Sequence, residues 1–251
     1  GPVMRVATYE RGRLRFWTDP FEINVSNEFH FFTPSDSVQD VTLFAKYTLR
    51  ADEMFLNRMI GGTFEGSNDP DFREKEVLYL INEKPKRLQT VVQSYSSKSY
   101  RYVRYIGPKD SHCNIAEAAF YTPNDTASLK GKVIGTPGCF QKDGSHEYTN
   151  VFDGDVTTSF DYIEPSGGWS GLDLGTPKQI GRIVYTPRSY DNYIRSGDDY
   201  ELFYCARRNN WKSLGDQRSK ADSLIYIKIP VNALLLLCNN TRGIQERIFV
   251  Y

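Results

Sequence analysis

Two short segments gather the residue types able to do chemistry. Asp153-Gly154-Asp155, with Thr158 three residues on, sets two carboxylates around a residue free to take positive φ and adds a hydroxyl. Oxygen clusters of this kind suit Ca²⁺, which takes about six to eight oxygen ligands; a plain turn closed by the aspartate side chains is the alternative. The spacing is not that of an EF-hand loop. The second segment, Arg188-Ser189-Tyr190-Asp191-Asn192-Tyr193, offers a guanidinium fork, a carboxylate, an amide and two aromatic rings. Sugars need that mixture of directional hydrogen bonds and a flat apolar face. Its alternative is a well-bonded polar connection, with Arg188 paired to Asp191 or Asp173.

Catalytic patterns are missing. His30, His112 and His146 are the only histidines, and none sits in a His-Glu-x-x-His motif. No Gly-x-Ser-x-Gly elbow, phosphate loop or dinucleotide fingerprint occurs. His112 and Cys113 are adjacent, whereas a nucleophile and its base normally converge from different elements, so both read as structural. The 31 acidic residues single out no pair for glycoside hydrolysis. The chain is therefore expected not to be an enzyme.

The elements that carry these segments read as strands. Apolar residues rarely recur at helical spacing, and short β-rich runs are broken by turn residues. Strands are predicted at 13–17, 29–32, 42–47, 77–81 and 100–106, then at 169–174, 179–186, 200–205, 224–229, 233–238 and 247–251. At 100–106 arginine, tyrosine and aliphatic residues alternate, which predicts a strand with one wet face. Trp169 and Trp211 sit beside strand signals and read as core; Trp17 is unassigned.

The pattern also repeats. Residues 40–50 resemble 179–188, each ending in Tyr-Thr-x-Arg. Gly61, Phe64 and Glu65 fall in step with Gly197, Tyr200 and Glu201. Ile115, Glu117 and Phe120 match Ile244, Glu246 and Phe249. Such a repeat predicts two units, at 1–122 and 129–251, joined by the polar stretch 121–129. The first has an atypical start without the Asp-Gly-Asp loop.

The totals set limits. Basic and acidic residues balance at 31 each, so no excess charge argues for nucleic acid or an anionic membrane. No apolar run reaches the roughly 20 residues of a membrane span. Cys113, Cys139, Cys205 and Cys238 match no zinc spacing and are too sparse for a disulfide scaffold. The start, Gly1-Pro2-Val3-Met4, has no signal-peptide character and is expected to mark a monomeric piece excised from a longer multidomain protein.

The second half resembles discoidin, or coagulation-factor C-type, domains of the galactose-binding-like group. The likeness is carried by Val151-Phe152-Asp153-Gly154-Asp155-x-x-Thr158, Asp173-Leu174-Gly175, Ile180-x-x-Ile183, Tyr185-x-Pro187-Arg188 and 200–203. The first half keeps the later part, at 64–69, 102–105 and 115–121. The pair is similar to tandem modules of large secreted or surface proteins of Bacteroidetes-type bacteria. The resemblance implies an all-β fold of two tandem jelly-roll sandwiches and an extracellular or cell-surface place. It implies a structural Ca²⁺ in the second module, held by Asp153, Asp155, Thr158 and Glu246, with only Glu117 as a counterpart in the first. It further implies a glycan or glycoprotein ligand bound by end loops, with Arg188, Tyr190, Asp191, Asn192 and Tyr193 as contacts and 50–55 as the weaker first-module equivalent. An architectural pair supporting a peptidase or transglutaminase-like domain is the other reading.

Overall fold

The computed structural model of the chain describes residues 2–48, 55–207 and 210–251, so residues 50–54 of the weaker loop segment lie outside it. The fold is all-β, as the strand spacing predicts, and its other regular elements are short 3₁₀ turns. In chain order the strands begin with β1 (Ala7–Glu10), β2 (Arg13–Phe16), β3 (Phe21–Ile23), β4 (Phe29–Phe31), β5 (Val38–Leu43) and β6 (Thr63–Ser67). Next come β7 (Lys75–Leu80), β8 (Thr90–Gln93), β9 (Ser99–Ile106), β10 (Ile115–Tyr121), β11 (Lys132–Gly135) and β12 (Trp169–Gln179). The last are β13 (Arg182–Pro187), β14 (Asp199–Cys205), β15 (Trp211–Arg218), β16 (Leu224–Pro230), β17 (Leu235–Asn239) and β18 (Ile244–Gln245). The chain divides into two compact units: Gly1–Leu49 with Asn192–Tyr251, and Arg50–Asp191.

The continuous unit has a five-stranded sheet, order β11-β12-β9-β6-β7, and a three-stranded sheet, order β10-β13-β8. One core joins them. Phe64, Leu78, Val103, Tyr105 and Leu172 come from the larger sheet, Ile115, Phe120, Ile183 and Tyr185 from the smaller. The Phe64 ring lies 5.1 Å from Tyr105, 5.3 Å from Tyr185 and 6.0 Å from Phe120. Burying each such side chain contributes about 1.5–3 kcal/mol.

The wet face expected on β9 is dry. β9 has β12 on one side and β6 on the other, and Arg104 is buried opposite Glu65. Arg104 donates to the Glu65 carboxylate through Nε at 2.8 Å and Nη2 at 2.7 Å, and its guanidinium lies over the Phe72 and Trp169 rings. Both nitrogens meet the same oxygen, Oε2, and an arginine so paired and covered by rings can be buried where an unpaired charge cannot.

The sequence repeat is present in the strands. β6 lies between β7 and β9 as β14 lies between β15 and β17. Gly61 and Gly197, matched in sequence, take φ of +92° and +90°. Gly61 N–H donates to the Ile81 carbonyl and Gly197 N–H to the Ser219 carbonyl, each at 2.7 Å just past the end of the neighbouring strand. The copies are nonetheless not the compact units. β13, which opens the second copy, pairs with β8 of the first, and β5, which opens the first, pairs with β16 of the second. Each unit combines the opening strand of one copy with later strands of the other. This corrects the predicted division at 122–129: that stretch lies inside the Arg50–Asp191 unit, where β9 joins β12 and β10 joins β13 across it.

The discontinuous unit contains the sheet β15-β14-β17-β18 and the pair β16-β5, around a core of Val41, Leu43, Tyr200, Leu202, Tyr226, Leu235 and Leu237. Two further ribbons, β1-β2 and β3-β4, form two-stranded sheets of their own. All four cysteines are free, and Cys113, Cys139 and Cys205 are buried. Among the described residues no helix is long and apolar enough to cross a membrane.

Candidate functional site

The Asp-Gly-Asp segment forms a tight loop after the 3₁₀ turn Tyr148–Phe152. Gly154 supplies φ +85°. The Asp153 carboxylate accepts from the Asp155 N–H at 2.7 Å and from the Thr158 hydroxyl at 2.8 Å. The Asp155 carboxylate accepts from Thr157 N–H at 2.9 Å. Asp153, Asp155 and Thr158 are thus brought together as the sequence suggests. The glutamate beside them is Glu117 of β10, which accepts from Gly154 N–H at 2.8 Å. Burial, then a hydrogen bond to the Asp153 carboxylate that only a protonated Glu117 can donate, push the Glu117 carboxyl up to about 8.

Glu246, expected to complete this set, belongs to the other unit. There its carboxylate takes the Lys46 ammonium at 3.0 Å, and both side chains are largely buried. The correction follows from the strand exchange. Glu117 and Glu246 occupy equivalent places in the two copies, and the loop of the second copy packs with the closing strand of the first.

The residues near the loop fit a hard divalent cation in kind. All donors are oxygens, and burial with Asp153 alongside raises the Glu117 carboxyl to about 8, so a cation there would compete with its proton. Among the described residues no group of three or more His, Cys, Asp or Glu side chains is placed to hold a metal ion, so a cation here would need backbone or hydroxyl oxygens as well.

A second constellation stands in the same unit. A pocket of about 400 Å³ is lined by Arg58, Asp110, His112, Asn114, Phe140, Gln141, Asp161 and Arg188. Four stretches supply it: the 3₁₀ turn Phe55–Met59, the β9–β10 loop, the β11–β12 loop and the end of β13. The buried Asp161 carboxylate organises its floor. It accepts from Arg188 Nη1 and, at 2.6 Å, from the Asn114 amide nitrogen. Asn114 is 1% exposed, and its Oδ1 has no hydrogen-bond partner in the structure. His112 Nδ1 donates to the Tyr162 carbonyl at 2.7 Å, which fixes that proton and leaves Nε2 for another group. Phe140 is 60% exposed and meets the His112 ring edge-on at 5.1 Å.

The backbone around this pocket is unusual. Asp110, Cys113 and Asn114 in the β9–β10 loop have φ of 58°, 76° and 47°, and Tyr190 and Asp191 after β13 have 52° and 59°. Such left-handed non-glycine residues cluster where a rigid frame holds side chains for a purpose.

Of the five residues expected to meet a ligand, Arg188 lines the pocket. Tyr190 is exposed, and its hydroxyl accepts from Arg188 Nη2. Asp191 is partly exposed and is not among the lining residues. Asn192 and Tyr193 are buried in the other unit. There Asn192 Oδ1 accepts from the Lys46 and Tyr47 N–H groups at 3.0 and 3.1 Å. Asn192 is therefore structural, since its amide is bonded to backbone on both sides, and Tyr193 is 2% exposed. Arg188 pairs with Asp161, and Asp173, its suggested partner, takes Arg101 at 2.8 Å.

Spacing and residue type mark His112 as structural and do not single out Asn114, Phe140, Gln141 or Asp161, which also line the pocket. His112 and Asn114 do lie in the turn before a closing strand, the one signal that pointed toward them. Comparison with protein-family models, curated proteins and solved structures yields no match to this chain.

Proposed function

We propose that the chain is a non-catalytic binding module that recognises carbohydrate through the pocket between Phe140 and Arg188, in a secreted or cell-surface setting. The observation that carries this reading is Asn114 Oδ1, a buried acceptor without a partner on the wall of an open pocket. A buried orphan acceptor costs about 1–3 kcal/mol, and a ligand hydroxyl that donates to it recovers that cost. Beside it are a guanidinium tied to a carboxylate, a histidine with one free nitrogen and an exposed phenylalanine face, the kinds of group that polyhydroxylated rings engage. The likeness to discoidin-type modules, with their end-loop sites, supports the same reading. It also supports a structural Ca²⁺ at Asp153, Asp155 and Thr158, where Glu117 rather than Glu246 stands beside the loop and the cation would fasten that loop to β10.

A glycan array followed by calorimetry tests the proposal. Phe140→Ala and Gln141→Ala alter exposed side chains and should preserve the fold while weakening binding at least about tenfold, the loss of one aromatic or hydrogen-bonding contact worth about 1.4 kcal/mol or more. Absence of binding to every glycan and mucin tested overturns the proposal. So does binding that neither substitution changes.

A further inference from the structure

We infer that the β1–β2 ribbon is a docking edge for an extended acidic protein segment, which adds to it as a further strand. The ribbon is preformed. Its two-residue turn, Arg11-Gly12, has φ of 49° and 78°, the doubly positive geometry that matches the twist of a tight hairpin. The register is regular, from Ala7↔Phe16 to Glu10↔Arg13. Yet the ribbon forms a sheet of two strands only, so an outer edge on each side has no strand beside it among the described residues. Two-stranded ribbons are marginal alone and gain stability from a third strand or an apolar cover. Among the described residues no third strand pairs with it.

One face carries Tyr9 opposite Leu14, 73% and 57% exposed, with Phe16 beyond them. The other carries Arg13 and Arg15. Residues 5–17 hold Arg5, Arg11, Arg13 and Arg15 against Glu10 alone, an excess of three positive charges in a chain whose total charge is zero. Glu10 is engaged by Arg15 at 3.5 Å, while Arg11 and Arg13 make no ion pair among the described residues. A free edge supplies backbone hydrogen bonds, the Tyr9–Leu14 face takes alternate apolar side chains, and the arginines select acidic residues between them. That combination favours a peptide strand over a polyanion. Trp17, the natural stacking platform for a nucleic acid, is already covered by the Arg15 guanidinium at 4.3 Å, and its indole N–H donates to the Thr8 hydroxyl at 2.9 Å.

Fluorescence polarisation with the whole chain and a labelled peptide of alternating glutamate and valine is the test. The expected result is saturable binding that falls at least tenfold in Arg13→Glu and in Leu14→Asp. The same peptide with lysine for glutamate should bind at least tenfold more weakly. Both variants alter exposed side chains, and unchanged circular dichroism shows that a loss is local. Equal binding of the lysine peptide, tighter binding of heparin or a single-stranded oligonucleotide, or indifference to both substitutions overturns the inference. So does concentration-dependent dimerisation of the chain that Leu14→Asp abolishes, since the edge then belongs to a second copy. None of these outcomes bears on the sugar pocket, which Phe140→Ala tests separately.

Discussion

Glu117 gives the residue scale its clearest physical content. Its carboxyl is pushed up to about 8 by burial and by the Asp153 carboxylate beside it, against about 4.3 in an unfolded chain. The folded protein therefore keeps a proton that the unfolded chain gives up. Its contribution to stability is whole below the lower value and drains away as pH rises through the higher one. In chelator-treated protein the melting temperature should fall by a few degrees between about pH 5 and about pH 8.5, a small effect because Glu117 is only partly buried. Glu117→Gln should flatten that slope. A divalent cation competes with the same proton, so CaCl₂ should raise the melting temperature at about pH 8.5 and scarcely at about pH 5. A flat profile in the parent chain removes the coupled pair. A calcium effect that persists in Glu117→Gln removes this glutamate from the cation site. The loop itself was legible in sequence because its spacing is local. Its partner was not, because Ile115-Ala116-Glu117 and Ile244-Gln245-Glu246 carry the same signal and spacing cannot say which closing strand packs beside the loop. In the other unit Lys46 neutralises Glu246 with an ammonium group, and no second carboxylate is needed.

At the scale of elements, alternation and turn residues locate β2, β4, β7, β9, β12, β13, β14, β16 and β17, miss others that include the buried β6 and β10, and predict a strand at 247–251 where only the bridge Leu235↔Phe249 forms. β15 (Trp-Lys-Ser-Leu-Gly-Asp-Gln-Arg) is mostly exposed and polar, so it buries no apolar stripe to read. β8 (Thr-Val-Val-Gln) and β11 (Lys-Val-Ile-Gly) set two apolar residues side by side, so no period of two emerges. On β9 the solvated face that the arginines predict is filled, because Glu65 lies opposite Arg104 on the neighbouring strand. The same sheet makes a sharper demand at Gly171. A Cβ there would lie 2.2 Å from the Val103 carbonyl oxygen on β9, inside the hydrogen-bonded pair of strands. Neither strand can retreat without breaking its other ladder. Gly171→Ala should therefore cost about 1–3 kcal/mol in denaturant unfolding, the usual penalty for overpacking. A change below about 0.5 kcal/mol, ordinary for a surface site, contradicts so close an approach of β12 to β9.

The whole molecule separates two ideas that a repeated sequence invites one to merge, the copy and the folding unit. Copies are recognised by local resemblance, and here that resemblance reaches into backbone detail at Gly61 and Gly197. Units are defined by which strands share a core, and strand pairing is blind to distance along the chain. Because β13 pairs with β8 and β10, and β5 with β16, cutting the chain between the copies strands β13 on one side and its partners on the other. It also divides the Arg101–Asp173 ion pair, whose two bonds are 2.8 and 3.0 Å long. A fragment of residues 50–191, by contrast, retains both sheets of its unit and the pocket from Arg58 to Arg188. It is of ordinary domain size, long enough for one core to sustain. Expressed alone, 50–191 should unfold cooperatively and keep any glycan affinity of the parent chain within a few fold. Fragments 1–122 and 129–251, cut where the repeat suggests, should be unfolded or aggregated, since each exposes strand edges and half a core. Cooperative unfolding of both of those fragments with native-like near-ultraviolet dichroism, and failure of 50–191, would mean that each copy closes on itself and that the exchanged pairing is not the resting arrangement of the chain.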